Sequence, residues 1–262
     1  MSSLALAVRD SSTMLRRNLL HARRYPSLTL NLLLTPIMML LLFVYIFGDV
    51  MSAGMGGGAD RSAYIAYLVP GLLLMTVGST TIGTAVSVSN DMTEGIIARF
   101  RTMAIHRGSV LVGHVIGSVL QSVASVVLVG AVGVAIGFRS VDATALEWLA
   151  AFGLLTMFAL ALTWIAVGMG MVSPNAEAAS NNALPLIFLP LISSAFVPVD
   201  AMPGWFQPIA QYQPFTPAIE TLRGLLLGTQ IGNNGWLALG WCLALSVLGY
   251  FWSKAVFNRD PK

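Results

Sequence analysis

The chain alternates between long runs that contain no charged residue and short polar segments. Six runs of 22 to 31 residues contain no Asp, Glu, Lys or Arg, and they cover residues 25–48, 62–90, 108–138, 148–176, 178–199 and 224–253. An α-helix rises about 1.5 Å per residue, so roughly 20 apolar residues cross a hydrocarbon core of about 30 Å. A charge at mid-bilayer costs about 2.5–3.5 kcal/mol, which explains why these runs exclude charges. The pattern predicts an all-α integral membrane protein with six transmembrane helices.

The predicted spans fall within these six runs. Their approximate bounds are 28–48, 63–88, 109–137, 148–172, 180–199 and 233–253. A seventh charge-free run, 201–219, contains four prolines. A spanning helix broken four times would leave backbone groups unpaired in lipid, so this run is not counted as a span.

The segment 200–228 is predicted to be an outer re-entrant segment of two short helices. Pro203 predicts one helix that ends near Ile209, and Pro217 predicts a second that is ended by Gly228. The aromatic ring of Trp205 suits the membrane interface. Glu220 and Arg223 are spaced to form an ion pair at i and i+3.

Residues 1–24 are the longest polar segment and predict a cytoplasmic amphipathic helix. Leucines and a valine fall near one face and arginines line the other, which is typical of a helix that lies in the headgroup plane. The alternative is a positively charged flank of the first span without this structure. Tyr25-Pro26 ends the segment.

Composition and charge leave room for one membrane domain, 1–262, and for no globular domain of any size. The chain is 56% hydrophobic and 10% charged, with a mean hydropathy of +0.78, whereas soluble domains are about 25% charged. The single cysteine, Cys242, lies in a span, and the three histidines are not spaced as a metal site. The net charge of +3 comes from arginines at span ends, which favours lipid headgroups over nucleic acid as partners.

The basic residues predict the orientation of the chain. Eleven of the 14 lysines and arginines lie on the side that includes both termini, and Arg61, Arg139 and Arg223 lie on the other. This bias predicts a multi-pass protein of the cell membrane with both termini in the cytoplasm.

Span two carries a polar stripe that has two interpretations. Thr76, Thr80, Thr84 and Ser87 recur at intervals of four and three residues, which places them on one helical face. The stripe either packs against another helix or lines a substrate pathway. The same pathway would include Asn181, Asn182 and Ser194 in span five.

The inner loop 91–107 is the most charged internal stretch, and it predicts a docking helix. It combines apolar side chains that share a face with a basic flank, and the residues expected to make the contact are Glu94, Arg99, Phe100 and Arg101. The alternative is a positively charged loop that only sets the topology.

Three strings in the chain resemble the membrane subunits of type-2 ABC exporters, the ABC-2 permease family, and most closely its daunorubicin-resistance-like branch. The first is Asp91-x-x-Glu94-Gly95, followed by Arg99-Phe100-Arg101-x-Met103. The second runs from Phe196-Val-Pro-Val-Asp200 through Met202-Pro-Gly-Trp205 to Pro217-x-x-Glu220-x-x-Arg223 and Gly228. The third is the linking string Ser173-Pro-Asn-Ala-Glu177.

The resemblance implies an N-terminal connecting helix, a coupling helix at 91–107 and paired re-entrant outer helices. It also implies two separate ATP-binding cassette subunits that bind ATP and Mg, and a second copy of the chain or a sister permease. The family often has a proline after the Met of the coupling loop, where this chain has Ala104-Ile-His106. The sequence therefore does not specify the residue at which the coupling helix ends.

No catalytic constellation is found in the sequence. Neither of the two lysines, Lys254 and Lys262, follows a glycine, so the chain has no phosphate-binding loop and no cofactor of its own is expected. The resemblance thus implies a non-enzymatic export subunit, and the uncharged spans suggest an amphipathic or lipid-like substrate, such as a drug, lipid or glycan-lipid. The alternatives are a secondary transporter or channel driven by an ion gradient, and a membrane enzyme or scaffold.

Overall fold

The computed structural model describes residues 26–48, 61–94, 107–140 and 143–258, with the backbone alone for 26–33 and 107–110. Every regular element in these ranges is a helix. The α-helices are α1 (Pro26–Tyr45), α2 (Arg61–Thr93), α3 (Arg107–Ala135), α4 (Ala145–Val172), α5 (Ala176–Ala183), α6 (Pro185–Leu191), α7 (Gln207–Tyr212), α8 (Phe215–Leu227) and α9 (Asn234–Phe257). The amphipathic helix predicted at 1–24 lies outside the described residues.

Within the described residues, four helices are long and apolar enough to cross a membrane, by length and composition. They are α2, α4, α9 and the part of α3 from Leu111–Ala135. α1 has 20 residues, of which Leu34–Tyr45 form a shorter apolar stretch. The most apolar stretch of α2 is 83% buried and that of α9 is 17% buried. α2 is therefore the central helix and α9 is peripheral. The chain is an all-helical membrane protein, and the count of six spans stays a prediction.

Several helices extend beyond the spans predicted from charge-free runs, and α2 and α4 show how. α2 continues to Thr93, so residues 91–93 belong to this helix and do not begin a separate one. α4 begins at Ala145, three residues before the predicted bound of 148, because Thr144 and Glu147 form a capping box. The Thr144 N–H donates to the Glu147 carboxylate at 2.7 Å, and the Glu147 N–H donates to the Thr144 hydroxyl at 3.3 Å.

The region predicted as span five, 180–199, is not one continuous helix. Asn175 begins α5 by accepting a hydrogen bond from the Ala178 N–H at 2.8 Å. α5 ends at Ala183 and α6 begins at Pro185, because proline has no N–H to continue the helical hydrogen bonds. After α6 the chain runs in turns over residues 192–196.

Two short helices occupy 200–228, as the prolines predict, but both start elsewhere. Pro203 lies in a turn, where its carbonyl accepts from the Phe206 N–H at 2.8 Å, and α7 covers Gln207–Tyr212 instead of 203–209. α8 begins at Phe215, two residues before Pro217. It ends at Gly228, whose φ of 70° favours glycine. The re-entrant position of these helices in a membrane stays a prediction.

Two glycines on α2 let the backbone of α6 and of the turns after it approach closely. A Cβ atom added at Gly78 would lie 2.5 Å from the carbonyl oxygen of Leu186, and one added at Gly71 would lie 2.7 Å from the Cα of Ala195. Real Cβ atoms do not approach backbone this closely, so α2 and residues 186–195 can pack at this distance only with glycine. The core of the bundle therefore depends on the absence of side chains at these two positions.

We expect Gly78→Ala to lower the free energy of unfolding by about 1–3 kcal/mol, because the added methyl group meets backbone that cannot move aside without displacing α6. The measurement is a denaturing-detergent titration of the purified chain. Gly153→Ala in α4 is the matched control, since nothing lies within 4 Å of the position that its methyl group would take. Equal stability of the two variants would contradict the close packing.

Candidate functional site

The polar stripe of α2 packs against hydroxyl groups of α3 and α4. Thr80 Oγ1 lies 2.6 Å from Ser122 Oγ, and Thr84 hydrogen-bonds Ser118. Ser118 Oγ is also 3.4 Å from Thr163 Oγ1 of α4. We call these five residues the hydroxyl seam. All of them are buried, and each short side chain finds a partner on another helix, as polar groups in lipid require.

Thr76 and Ser87, the other two members of the predicted stripe, do not belong to the hydroxyl seam. The Thr76 hydroxyl donates to the Leu72 carbonyl of its own helix at 2.7 Å, and Ser87 is half-buried. A crevice beside the seam is lined by Val77, Ser122 and residues of α3 and α4, and it is too narrow for a drug-sized molecule. In the single chain these contacts favour helix packing, and a pathway role for the stripe stays a prediction.

The remaining pathway candidates lie in different surroundings. Asn181 and Asn182 lie on α5, where the Asn182 amide donates to Ser173 Oγ at 3.0 Å. Ser194 is buried in the turns after α6. The structure therefore does not bring Asn181, Asn182 and Ser194 together with the stripe in one cavity of the single chain.

Arg223 is the centre of a buried polar cluster that joins α8 to α2 and to the turns after α6. Its side chain is 4% exposed. The Nη2 atom donates to the Ser194 carbonyl at 2.6 Å, and Nε donates to the Tyr67 carbonyl at 3.0 Å. Nη1 donates to the Glu220 carboxylate at 2.6 Å, so the ion pair expected from the i and i+3 spacing is present. We call Tyr67, Ser194, Glu220 and Arg223 the Arg223 cluster.

Tyr67 contacts Arg223 with its ring as well as its backbone. The guanidinium carbon lies 3.5 Å from the ring centroid, and the Tyr67 hydroxyl donates to the Ser194 carbonyl at 2.8 Å. The turns after α6 leave carbonyls without helical donors, and Arg223 supplies several N–H groups in a fixed fork. The cluster therefore supplies donors to carbonyls in the turns after α6, and it holds α8, α2 and these turns together.

A second buried polar contact, between two ionisable side chains, joins the end of α2 to the beginning of α3. His114 Nε2 lies 3.0 Å from Asp91 Oδ2, and the two side chains are 6% and 8% exposed. Burying a carboxylate is costly unless it is paired and hydrogen-bonded, so this contact constrains both helices. The pair stands next to the segment 95–106 in the chain.

The predicted coupling residues are mostly outside the part of the chain that the structure describes. Arg99, Phe100 and Arg101 all fall in 95–106. Glu94 is exposed in the turn that ends α2. In the outer segment, Pro203 and Trp205 are exposed, and Trp205 stacks edge-on against Phe206 with ring centroids 5.4 Å apart.

The sequence did not point to Tyr67, His114 or the serines of the hydroxyl seam as site residues, and Asp91 stood out only as part of a family-like string. One signal was present for α3, since His114, Ser118 and Ser122 recur every four residues and therefore share a face. That polar face matches the one recognised on span two. Tyr67 carried no such signal, because its role depends on an arginine 156 residues away.

The apolar helices and the buried polar links define a multi-pass helical membrane protein, and comparison with known proteins gives its family. Residues 10–227 match the ABC-2 type transporter family. The daunorubicin resistance ABC transporter permease of Streptomyces coeruleorubidus is 30% identical over 230 residues, which are 86% of this chain and 77% of the relative. The chain belongs to the ABC-2 type transporter family, whose members are transmembrane subunits and not ATPases.

Two further relatives have lower identity. The probable doxorubicin resistance ABC transporter permease of Mycobacterium tuberculosis is 24% identical, over 66% of this chain and 64% of the relative. Nodulation protein J of Rhizobium meliloti is 26% identical over 82% of each chain. The resemblance to ABC-2 permeases of the daunorubicin-resistance type is thereby confirmed.

Proposed function

We propose that this chain is the membrane-spanning permease subunit of an ATP-driven exporter that moves an amphipathic or lipid-like substrate out across the plasma membrane. The observation that carries the proposal is the family match over residues 10–227, together with the similarity to a daunorubicin resistance permease over most of the chain. Separate ATP-binding cassette subunits would bind ATP and Mg and dock on the segment 91–107. A second copy or a sister permease would complete the pathway, and the chain itself would remain non-catalytic.

The proposed mechanism moves helices as rigid units. Closure of the ATP-binding subunits pushes on 91–107, and the force reaches α2 and α3 at their adjacent ends. α2 is the central helix and contacts the turns after α6 through the Arg223 cluster. Movement of α2 therefore reaches the segment 200–228, which is the predicted outer re-entrant segment. Names of relatives that include drug resistance favour a drug among the amphipathic substrates.

A carrier driven by an ion gradient is the second candidate, and one observation favours it. Such carriers use buried ionisable residues for coupling, and Asp91–His114 is a buried ionisable pair. The pair lies two residues before the end of α2, whereas coupling sites in carriers lie near the middle of the membrane. The position of the pair therefore favours a structural role.

The proposal is tested by copurification and by resistance in cells. A tagged copy of the chain, expressed with the cassette ATPase from its own operon or genome, should retain that ATPase in detergent. Cells with both proteins should tolerate more anthracycline than cells with the permease and an ATPase that cannot hydrolyse ATP. Absence of the ATPase from the purified chain, together with equal tolerance, would reject the proposal for this substrate class.

The orientation has its own test. Reporter fusions after residues 55 and 230 should be detected outside, and fusions after residue 100 and at the C-terminus should be detected in the cytoplasm, because basic residues concentrate on the second side. The measurement is a pair of reporters that are active on opposite sides of the membrane. An outside signal at residue 100 would reject both the orientation and the docking role of 91–107.

A double variant in the hydroxyl stripe tests whether the stripe lines a pathway or packs against other helices. We expect Thr80→Leu with Thr84→Leu to prevent a stable fold or assembly, because each leucine replaces a hydrogen-bonded hydroxyl with a larger group in a filled interface. Assembly is measured by size-exclusion chromatography, with Ser87→Leu at a half-buried position as the control. An assembled double variant with altered substrate preference would instead support the pathway.

A further inference from the structure

The Asp91–His114 pair joins the two helices that flank the segment 95–106, where the ATPase is proposed to dock. Asp91 lies three residues before the exposed Glu94, and His114 lies seven residues after the first residue of α3. The carboxylate and imidazole meet at 3.0 Å in a buried position, although the residues are 23 apart in the chain. The two ends of the segment 95–106 are therefore held together by side chains as well as by helix packing.

The pair continues the hydroxyl seam toward the ends of α2 and α3. His114, Ser118 and Ser122 are successive turns of one face of α3, and they meet Asp91, Thr84 and Thr80 of α2 in antiparallel order. The seam bonds join neutral hydroxyls, which contribute little each in membrane proteins. The Asp91–His114 contact instead joins two ionisable groups.

We propose that Asp91 and His114 are positioning residues that clamp α2 to α3, so that force on 95–106 moves both helices as one body. Without the clamp, a push on the segment would separate the two helix ends more easily, and less of the force would reach the middle of the bundle. The pair is suited to this role because burying a carboxylate is costly unless it is hydrogen-bonded, and His114 supplies such a contact from the neighbouring helix. This inference rests on the proposed function for the source of the force, but the clamp itself is a property of the single chain.

The clamp is tested first by a distance measurement that needs no partner. Spin labels are placed at Thr93 and Val112, which are exposed near the pair, in a chain whose only cysteine is removed by Cys242→Ala. We expect one narrow distance distribution with the native pair. Asp91→Asn and His114→Gln should each broaden it, and the swapped variant, Asp91→His with His114→Asp, should narrow it again. Ser122→Ala, which removes a neutral seam bond, should have a smaller effect.

The functional arm measures export per ATP hydrolysed in vesicles that contain the chain and its ATPase. The single variants should retain ATP hydrolysis and lose roughly three- to tenfold in export per ATP, and the swapped variant should recover. If the wild-type complex does not export, the proposed function is rejected. The spin-label distances still show whether Asp91 and His114 clamp α2 to α3. Unchanged distance distributions in both single variants, or no recovery in the swapped variant, would overturn the clamp. Failure of all three variants to fold would show a folding requirement and would also reject it.

Discussion

Arg223→Met should destabilise the chain by about 3 kcal/mol, because it leaves buried acceptors without donors and each such loss costs about 1–3 kcal/mol. Methionine preserves most of the apolar length of the side chain but none of its donors. The Tyr67 and Ser194 carbonyls would then lose the hydrogen bonds of 3.0 and 2.6 Å that Arg223 donates to them. Glu220 would lose its cation at the same time. The measurement is the free energy of unfolding of the purified chain in a denaturing-detergent titration.

Arg139→Met is the matched control, because Arg139 is exposed and donates to carbonyls of its own turn. Its effect should remain within about 0.5 kcal/mol. Arg223→Lys should fall between the two, since lysine keeps the charge but lacks the planar fork that reaches several acceptors at once. Similar stability for Arg223→Met and Arg139→Met would show that the Arg223 cluster does not hold α8, α2 and the turns after α6 together.

Phe100→Ala should weaken binding of the cassette ATPase by about 2 kcal/mol, or roughly 30-fold in affinity, if the ring is buried at the docking surface. Phe100 is a large apolar residue in a short polar stretch, with Arg99 and Arg101 beside it to orient an acidic partner surface. Glu94→Ala should lower export per ATP, because Glu94 is exposed at the end of α2 where the segment begins. The measurements are copurification of the ATPase and export in reconstituted vesicles.

Trp205→Ala is the control for removal of an exposed aromatic ring. Trp205 is 77% exposed on the segment expected to face outside, so its loss should leave ATPase binding unchanged. Normal copurification and normal ATP-driven export in both Phe100→Ala and Glu94→Ala would remove 91–107 from the mechanism. The segment would then be a determinant of topology alone.

Charge exclusion predicted the long helices well because it depends on one local property of the chain. The runs 62–90 and 148–176 contain most of α2 and α4, and the errors at their ends have local causes. Thr144 and Glu147 cap α4 before the apolar run begins, so the helix starts among residues that look like a loop. The proline at 185 was visible in the sequence, but whether it would kink or end the helix depends on what α6 packs against.

The polar clusters were only half predictable, because one partner in each contact comes from a distant part of the chain. Glu220 and Arg223 pair within one helix, and their spacing was sufficient to predict it. The contacts of Arg223 with Tyr67 and Ser194 require the packing of α8 against α2 and against the turns after α6. Similarly, Asp91 meets His114 only when α2 and α3 pack in one register, which a pattern along either helix cannot specify.

The most direct test of the central claim is transport by the purified chain with its cassette ATPase in sealed vesicles whose ion gradients have been collapsed by ionophores. The substrate is a fluorescent anthracycline, and the controls are vesicles with the non-hydrolysing ATPase and vesicles without ATP. We expect substrate accumulation that requires ATP hydrolysis and that persists without any proton or sodium gradient. Accumulation that disappears with the ionophores, or that proceeds equally without ATP hydrolysis, would contradict an ATP-driven export subunit and would support the ion-gradient carrier.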